Sequence, residues 1–289
     1  MKLTSKNYFS PQANWEYMSV SQFKNFVKCE EMTMAELRGE YIRPPSDALL
    51  LGSLVDEMLT GTKKSQVKFI DENFSDLFQK SSPLNKIEDR IAFIDENFSN
   101  IFDTVNKPYA DITKALDAVD RVKKQPLMMH YLSGKHQTIM TGEIAGVTFK
   151  IKMDSYKPNE FITDLKYLKS LKSPNLFDNV VKYWGYDVQG AVYREIVRQN
   201  TGVILPFYLV IVTKDTVPRV AVAEVKPWNL DESLEYVKAK IPHITEVKQG
   251  KIPPQRCDEC DYCAATEILK EPIDSDYLGM SARQLDSVL

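Results

Sequence analysis

Several features are scarce in this sequence. Its 289 residues contain no window of 18 apolar residues, which excludes a membrane-spanning helix. The opening stretch MKLTSKNYFSPQ has no apolar core, so no secretory leader is expected and a cytoplasmic protein is. Net charge is small: 37 basic against 40 acidic residues leave −3, which argues against a general polyanion binder while leaving a local basic cleft open. There are three histidines, His130, His136 and His243, and none has an evident partner. Cysteines number four, too few to make a disulfide scaffold of so long a chain. The remainder, 43% hydrophobic and 27% charged residues, is the balance of an ordinary globular protein and excludes disordered and collagen-like classes. The length suits one large domain or two small ones. A single domain over 1–289 is expected, with a helical N-terminal region over 1–135, a core over 136–228 and a C-terminal region over 229–289.

The few cysteines are placed unevenly. Cys29 stands alone, while Cys257, Cys260 and Cys263 form a C-x2-C-x2-C run. Metal binding is the better first reading of such a set. Zinc sites usually take two separated C-x2-C pairs. Three close cysteines plus a distant one suit the corners of an iron–sulfur cubane better, and zinc stays open. Ligation would tie the first helix to the C-terminal segment, and metal–ligand energy would then be folding energy.

The chain begins helical. Ser21 reads as the N-cap of a helix over Gln22–Leu37, and Pro44-Pro45 breaks the chain. Ala48–Leu59 reads as a second helix stopped by Gly61. Residues 62–137 read mostly as helix and contain a repeat: Phe69–Ser75 recurs as Phe93–Ser99, offset by 24 residues. Two copies do not make a solenoid, and a local duplication within a helical insertion is the simpler reading. Strand patterns then cover Gln137–Met140, Val147–Tyr156 and Phe161–Tyr167, with a turn at Lys157–Glu160. A helix over Phe177–Arg198, strands Phe207–Thr213 and Arg219–Val225, and a helix over Asp231–Lys248 complete an α/β (α+β) core with a mixed sheet.

Asp154 ends one strand, and Asp164-Leu165-Lys166 comes ten residues on. On a strand, residues two apart share a face, so Asp164 and Lys166 point together. If the two strands pair through the turn, two carboxylates and an ammonium converge. Two carboxylates bind Mg²⁺ or Mn²⁺ while leaving water sites for a phosphate. Such a metal activates water and a phosphodiester, and a lysine orients the water or stabilises the transition state. Acid-x-lysine alone is weak, because Glu224-Val225-Lys226 repeats the pattern with Asp215 nine residues upstream. The next element separates the two. Behind Asp164 comes a helix bearing Gln189 and Tyr193, four apart and so on one face.

The run Asp154…Asp164-x-Lys166…Gln189-x3-Tyr193 resembles the PD-(D/E)xK nuclease superfamily in its RecB-type branch, and within it the phage and prophage exonucleases of the exodeoxyribonuclease VIII type. Ser19-x-Ser21…Phe26-x2-Cys29 and Leu51-Gly52-Ser53-Leu54-Val55-Asp56-Glu57 are similar to the opening motifs of that branch. The resemblance implies a restriction-endonuclease-like sheet flanked by helices and a metal-dependent DNA exonuclease of phage-type recombination or repair. It implies a single-strand annealing protein as partner and possible ring-like oligomers. It implies Asp154, Asp164 and the Leu165 carbonyl as Mg²⁺ or Mn²⁺ ligands, Lys166 as catalytic, and Gln189 and Tyr193 as DNA-positioning residues. Where the branch usually has a metal-ligating histidine, this chain has Asp56, itself a suitable hard-cation ligand. The alternative is a degenerate DNA-binding or assembly factor on the same fold. Glu143 is a further nearby acid, read as a solvated strand-end residue. Seven lysines over 150–182 against four acids suggest a local basic cleft, with Lys169 and Lys172 as phosphate contacts. The cysteine layout is similar to the 4Fe-4S staple of some RecB-type nucleases.

Overall fold

The computed structural model describes residues 1–44, 46–74, 110–174 and 178–268. Elements are numbered among these. Helices α1 (Pro11–Glu16), α2 (Val20–Lys28), α3 (Glu30–Arg38), α4 (Asp47–Thr60), α5 (Lys63–Asn73), α6 (Ala110–Lys123) and α7 (Pro126–Tyr131) precede β1 (Lys135–Ile144), β2 (Val147–Lys157) and β3 (Phe161–Leu168). Then come α8 (Val180–Tyr183), α9 (Tyr186–Thr201), β4 (Phe207–Thr213), β5 (Val220–Val225), α10 (Pro227–Lys248) and α11 (Asp261–Ala265). The strand order is β1-β2-β3-β4-β5, with β2–β3 and β4–β5 antiparallel and β3–β4 parallel. This is the mixed α/β sheet expected, with helices before it and the cysteine segment after it. Among the described residues, no helix is long and apolar enough to cross a membrane.

The described residues form two compact units. The first contains Met1–Pro44, Thr141–Lys150 and the chain from Leu234; the second contains Pro45–Met140 and Ile151–Ser233.

In the second unit, α4 and α6 carry apolar stripes at helical spacing: Leu51, Leu54, Val55 and Met58 on one, Ile112, Ala115, Leu116, Val119 and Val122 on the other. Both stripes pack with Leu165 of β3 and Val210 and Val212 of β4. β4 reads as a nearly continuous apolar run and is almost wholly buried, as a strand covered on both faces should be. The β2–β3 hairpin turns through Asn159 at φ 64°, a left-handed position that asparagine tolerates better than most residues. Lys157 pairs there with Glu160 at 2.9 Å.

The expected helix from Phe177 is interrupted. Phe177 itself lies outside the described residues, and Gly185, at φ 62°, separates α8 from α9. A left-handed residue cannot continue a right-handed helix, so α9 starts afresh at Tyr186 with its own direction. Gly190 of α9 lies so close to β4 that a Cβ there would meet a Phe207 ring carbon at 2.4 Å and a Leu230 methyl at 2.9 Å. The second repeat copy, Phe93–Ser99, and Pro45 also lie outside the described residues; Phe69–Asn73 of the first copy ends α5.

In the first unit, the N-cap of α2 is Ser19, whose hydroxyl accepts from the Gln22 amide, rather than Ser21. The single helix expected over Gln22–Leu37 is two, because Cys29 is extended (φ −160°, ψ 109°). Its sulfur accepts from the Met32 amide and so caps α3. Cysteine replaces the usual oxygen cap, and the break turns its thiol inward. Met18 bridges β2 in parallel, its amide donating to Thr148 and its carbonyl accepting from Lys150. Val237, Ile241, Ile244 and Val247 form the buried stripe of α10.

The Gly190 contact yields a prediction. Gly190→Ala should destabilise the protein by about 1–3 kcal/mol despite alanine's better helix propensity, because overpacking against β4 outweighs it. Urea denaturation followed by circular dichroism measures this; an unchanged or raised midpoint would contradict the packing.

Candidate active site and metal centre

β2, β3, α4 and α9 together carry one cluster of charged side chains. The hairpin register pairs Ser155 with Thr163, which sets Asp154 beside Asp164. The Asp154 carboxylate accepts the Leu165 amide at 2.9 Å. Asp164 is 2% exposed and forms an ion pair with Lys166 through Oδ2. That oxygen is buried and receives no hydrogen bond of acceptable geometry. Its other oxygen accepts from the Gln189 side-chain amide at 2.6 Å. The Lys166 ammonium lies 4.9 Å from the centre of the Tyr186 ring, in the first turn of α9.

Asp56 belongs to the same electrostatic set. It lies on α4, accepts from Thr60 and from the Gln137 side-chain amide at 2.9 Å, and feels the charge of Asp164. Burial, with Asp164 and Glu57 adding, pushes its pKa up to about 6 against the opposing Thr60 hydroxyl and Lys152. Burial raises Asp154 well above the ordinary carboxylate range, and the charges of Asp164 and Asp56 raise it further. Burial works against the Lys166 charge, yet Asp164 and Asp154 hold its pKa above that of an ordinary lysine. Three carboxylates therefore crowd together, with Lys166 acting on Asp154 and Asp164 and Lys152 on Asp56. They are more loosely spaced than the cysteines: among the described residues, only the four cysteines form a group with all ligand atoms within 4.8 Å of one another. The donor set still fits a hard divalent cation. It offers oxygen ligands in excess of the nearby positive charge, and one buried carboxylate oxygen, Asp164 Oδ2, is met by the Lys166 ammonium alone.

The other expected residues divide between structural and exposed positions. Tyr193 is buried and donates to the Lys152 carbonyl at 3.0 Å, so its hydroxyl anchors α9 to β2. Glu143 is exposed and is not among the charges that perturb Asp154. The look-alike pair Glu224 and Lys226 is exposed and bonded at 2.8 Å. Asp215 accepts from Thr213 at 2.7 Å and has Arg219 at 3.8 Å. The basic cleft read from seven lysines is smaller than that tally: Lys150 is 1% exposed, while Lys157 and Lys182 face Glu160 and Glu232. Lys169 and Lys172 are exposed.

Sequence reasoning missed three residues here. Gln137 sits at φ 51°, strained for a non-glycine residue, and this holds its amide on Asp56. His136 places Nδ1 3.1 Å from the Asp154 carbonyl. Tyr186 packs over Lys166; its spacing of three from Gln189 on one helix face was the available signal.

The four cysteines gather in the first unit. No disulfide forms; Sγ of Cys29 lies 3.6 Å from that of Cys263, and Cys257 lies 4.0 Å from Cys263. Cys29 and Cys263 are buried, with Met32, Tyr41 and Tyr262 packed around them. Burial lifts the Cys29 thiol to about 12; against the same cost, hydrogen bonds from the Glu259 backbone and the Cys260 side chain bring Cys257 down to about 7. These residues can coordinate a metal ion.

With this geometry in place, the comparisons identify the family. The profile described as a PDDEXK-like domain of unknown function (DUF3799) matches residues 19–266. The chain belongs to this family. It is 38% identical to a solved "Putative exonuclease" from Eubacterium rectale, covering 97% of this chain and 99% of that one with a TM-score of 0.82. The solved structure of SSO0001 aligns over 81% of the chain at 12% identity with a TM-score of 0.31, too low to carry an argument. No curated protein matches by sequence.

The crowding of Asp56 has a consequence for pH. Its folded pKa of about 6 exceeds the unfolded value near 3.9, so the folded state binds its proton more tightly and stability falls as pH rises from about 4 to 6. In metal-free protein, Asp56→Asn should therefore raise the free energy of unfolding near pH 8 by up to about 3 kcal/mol, and with it the melting temperature, the gain vanishing near pH 4. Thermal melts across that range test it, and a gain confined to low pH would reverse the assignment.

Proposed function

We propose that this protein is a metal-dependent DNA exonuclease, hydrolysing phosphodiester bonds at DNA ends. The observation that carries the reading is the mutual crowding of Asp56, Asp154 and Asp164, with Lys166 paired to Asp164 and the Oδ2 atom of Asp164 buried. Family membership and the Eubacterium rectale relative's description support the same class of chemistry. Asp154 and Asp164 would hold Mg²⁺ or Mn²⁺, with the Leu165 carbonyl and Asp56 as further ligands. A divalent cation there supplies Lewis acidity toward a phosphodiester and lowers the pKa of bound water.

The chain's own residues do the rest. Lys166, kept charged by the carboxylates, orients the attacking water and meets negative charge developing on the phosphate. Gln189 fixes one oxygen of Asp164, leaving the other turned to the lysine. The Tyr186 ring of α9 lies against the Lys166 ammonium, and Tyr193 locks α9 to β2, so both position the site. Asp56, in place of the branch's usual histidine, lies within the charge cluster, which favours retained metal binding over a degenerate DNA-binding role. In this reading the protein works in the bacterial cytoplasm on linear DNA ends, beside a single-strand annealing protein in phage-type recombination.

Degradation of linear duplex and single-stranded DNA with Mg²⁺ or Mn²⁺ tests this. Lys166→Ala should lose about 100-fold or more in rate, while Lys226→Ala, in the exposed look-alike, should match the wild type. No degradation by any of the three would remove the enzyme reading and leave the binding factor.

For the cysteines the resemblance suggests a 4Fe-4S cluster, with zinc open. Four thiolates within 4.8 Å of one another can ligate one metal centre. The role is structural. Anaerobically purified protein should be brown and contain iron, and removal of the metal should lower its unfolding midpoint. Colourless protein containing zinc would replace the cluster with a single ion.

A further inference from the structure

A cavity lined in part by a buried lysine lies within the first unit. It encloses about 230 Å³, and its wall includes Tyr8, Asn14, Ser19, Ser21, Asn25 and Lys150. Lys150 projects from β2 and is 1% exposed. Its ammonium donates to the Tyr8 carbonyl at 2.5 Å and to Asn14 Oδ1 at 2.7 Å, and lies 4.7 Å from the Tyr8 ring centre. Its third N–H meets no acceptor among the described residues. Lys248, at the end of α10, reaches the same asparagine: Nζ donates to the Asn14 carbonyl at 2.9 Å and to Gln22 Oε1 at 3.3 Å.

Two ammonium groups thus converge on Asn14 and bond only to neutral oxygens. Among the described residues, neither has a carboxylate partner. The one carboxylate on the wall, Glu36, is held by Arg43 through two hydrogen bonds of 2.9 and 3.1 Å. Burying an unpaired ion costs several kcal/mol, and a second like charge nearby adds to it. Burial lowers both lysines to about 8, with Lys150 lowering Lys248 further, so both remain largely charged at neutral pH. An anion in the cavity would offset this cost. The wall also offers a hydroxyl pair at the positive end of α2, a nine-residue helix: Ser19 and Ser21 are hydrogen-bonded to each other at 3.0 Å, which leaves one O–H to donate to an anion.

We propose that this cavity binds a phosphate-type oxyanion, held by Lys150 and the hydroxyls of Ser19 and Ser21, with Lys248 supplying the second positive charge. A tetrahedral oxyanion has acceptors in several directions, which matches donors on the wall from β2 and the start of α2, with Lys248 of α10 behind Asn14 and Gln22. The cavity admits free phosphate, a nucleoside monophosphate or the terminal phosphate of a DNA strand. The site shares no residue with the carboxylate cluster, so its binding can be measured whatever that cluster does.

Calorimetric titration of the whole chain with inorganic phosphate, at neutral pH and constant ionic strength, tests the proposal. Saturable one-to-one binding is expected. Lys150→Met should weaken it at least tenfold, Ser21→Ala several-fold with an unchanged unfolding midpoint, and Lys214→Met not at all. Parallel titrations with dAMP, and with a short oligonucleotide with and without a 5′-phosphate, identify the source of the phosphate by the tightest ligand. Absence of saturable binding to wild type by all of these overturns the proposal. So does binding that survives both Lys150→Met and Ser21→Ala unchanged.

Discussion

Three carboxylates repel one another in the second unit, with Lys166 acting on Asp154 and Asp164 and Lys152 on Asp56, and the site is organised around that imbalance. Two unit charges 4 Å apart at a protein surface interact by roughly 4 kcal/mol, so such a group cannot be left to relax freely. Several local features answer the crowding. The Asp154 carboxylate takes a strand amide from Leu165, Gln189 secures one oxygen of Asp164, and Gln137 accepts a strained backbone to reach Asp56. Each neutral donor lowers the cost of one carboxylate without cancelling its charge. The cluster keeps an excess of negative charge, which is what a hard cation requires.

The same three-residue pattern occurs twice, and burial separates the two instances. Asp164 and Lys166 lie on β3 beneath α9, whereas Glu224 and Lys226 lie at the end of β5 and are exposed. An exposed pair is solvated and contributes little. A buried pair beside two more acids shifts proton affinities and creates chemistry.

Most of the sheet was legible from the sequence because its signals are local. Alternation marked β2 and β3, the Pro158-Asn159 turn joined them, and hairpin register then placed Asp154 beside Asp164. The breaks at Cys29 and Gly185 were not legible, since both lie within good helical patterns and are imposed by what the next segment must reach. The positive φ of Gln137 has no local signature in a strand-like run. Lys150 was misread for a different reason: a tally of charges along the chain carries no depth, and this lysine points inward to Tyr8 and Asn14. Asp56 needed the fold to join it to acids about a hundred residues away.

The cysteine centre imposes an order in time. Cys29 and Cys263, whose sulfurs lie 3.6 Å apart, are separated by 234 residues of chain. At ordinary translation speeds, Cys29 emerges from the ribosome on the order of ten to fifty seconds before its partners exist. Throughout that interval α2 and α3 carry an exposed thiol at their junction with nothing to ligate beside it. The four-cysteine centre of the first unit therefore cannot close until Cys263 has been made. Until then the nascent N-terminal helices depend on contacts other than the metal.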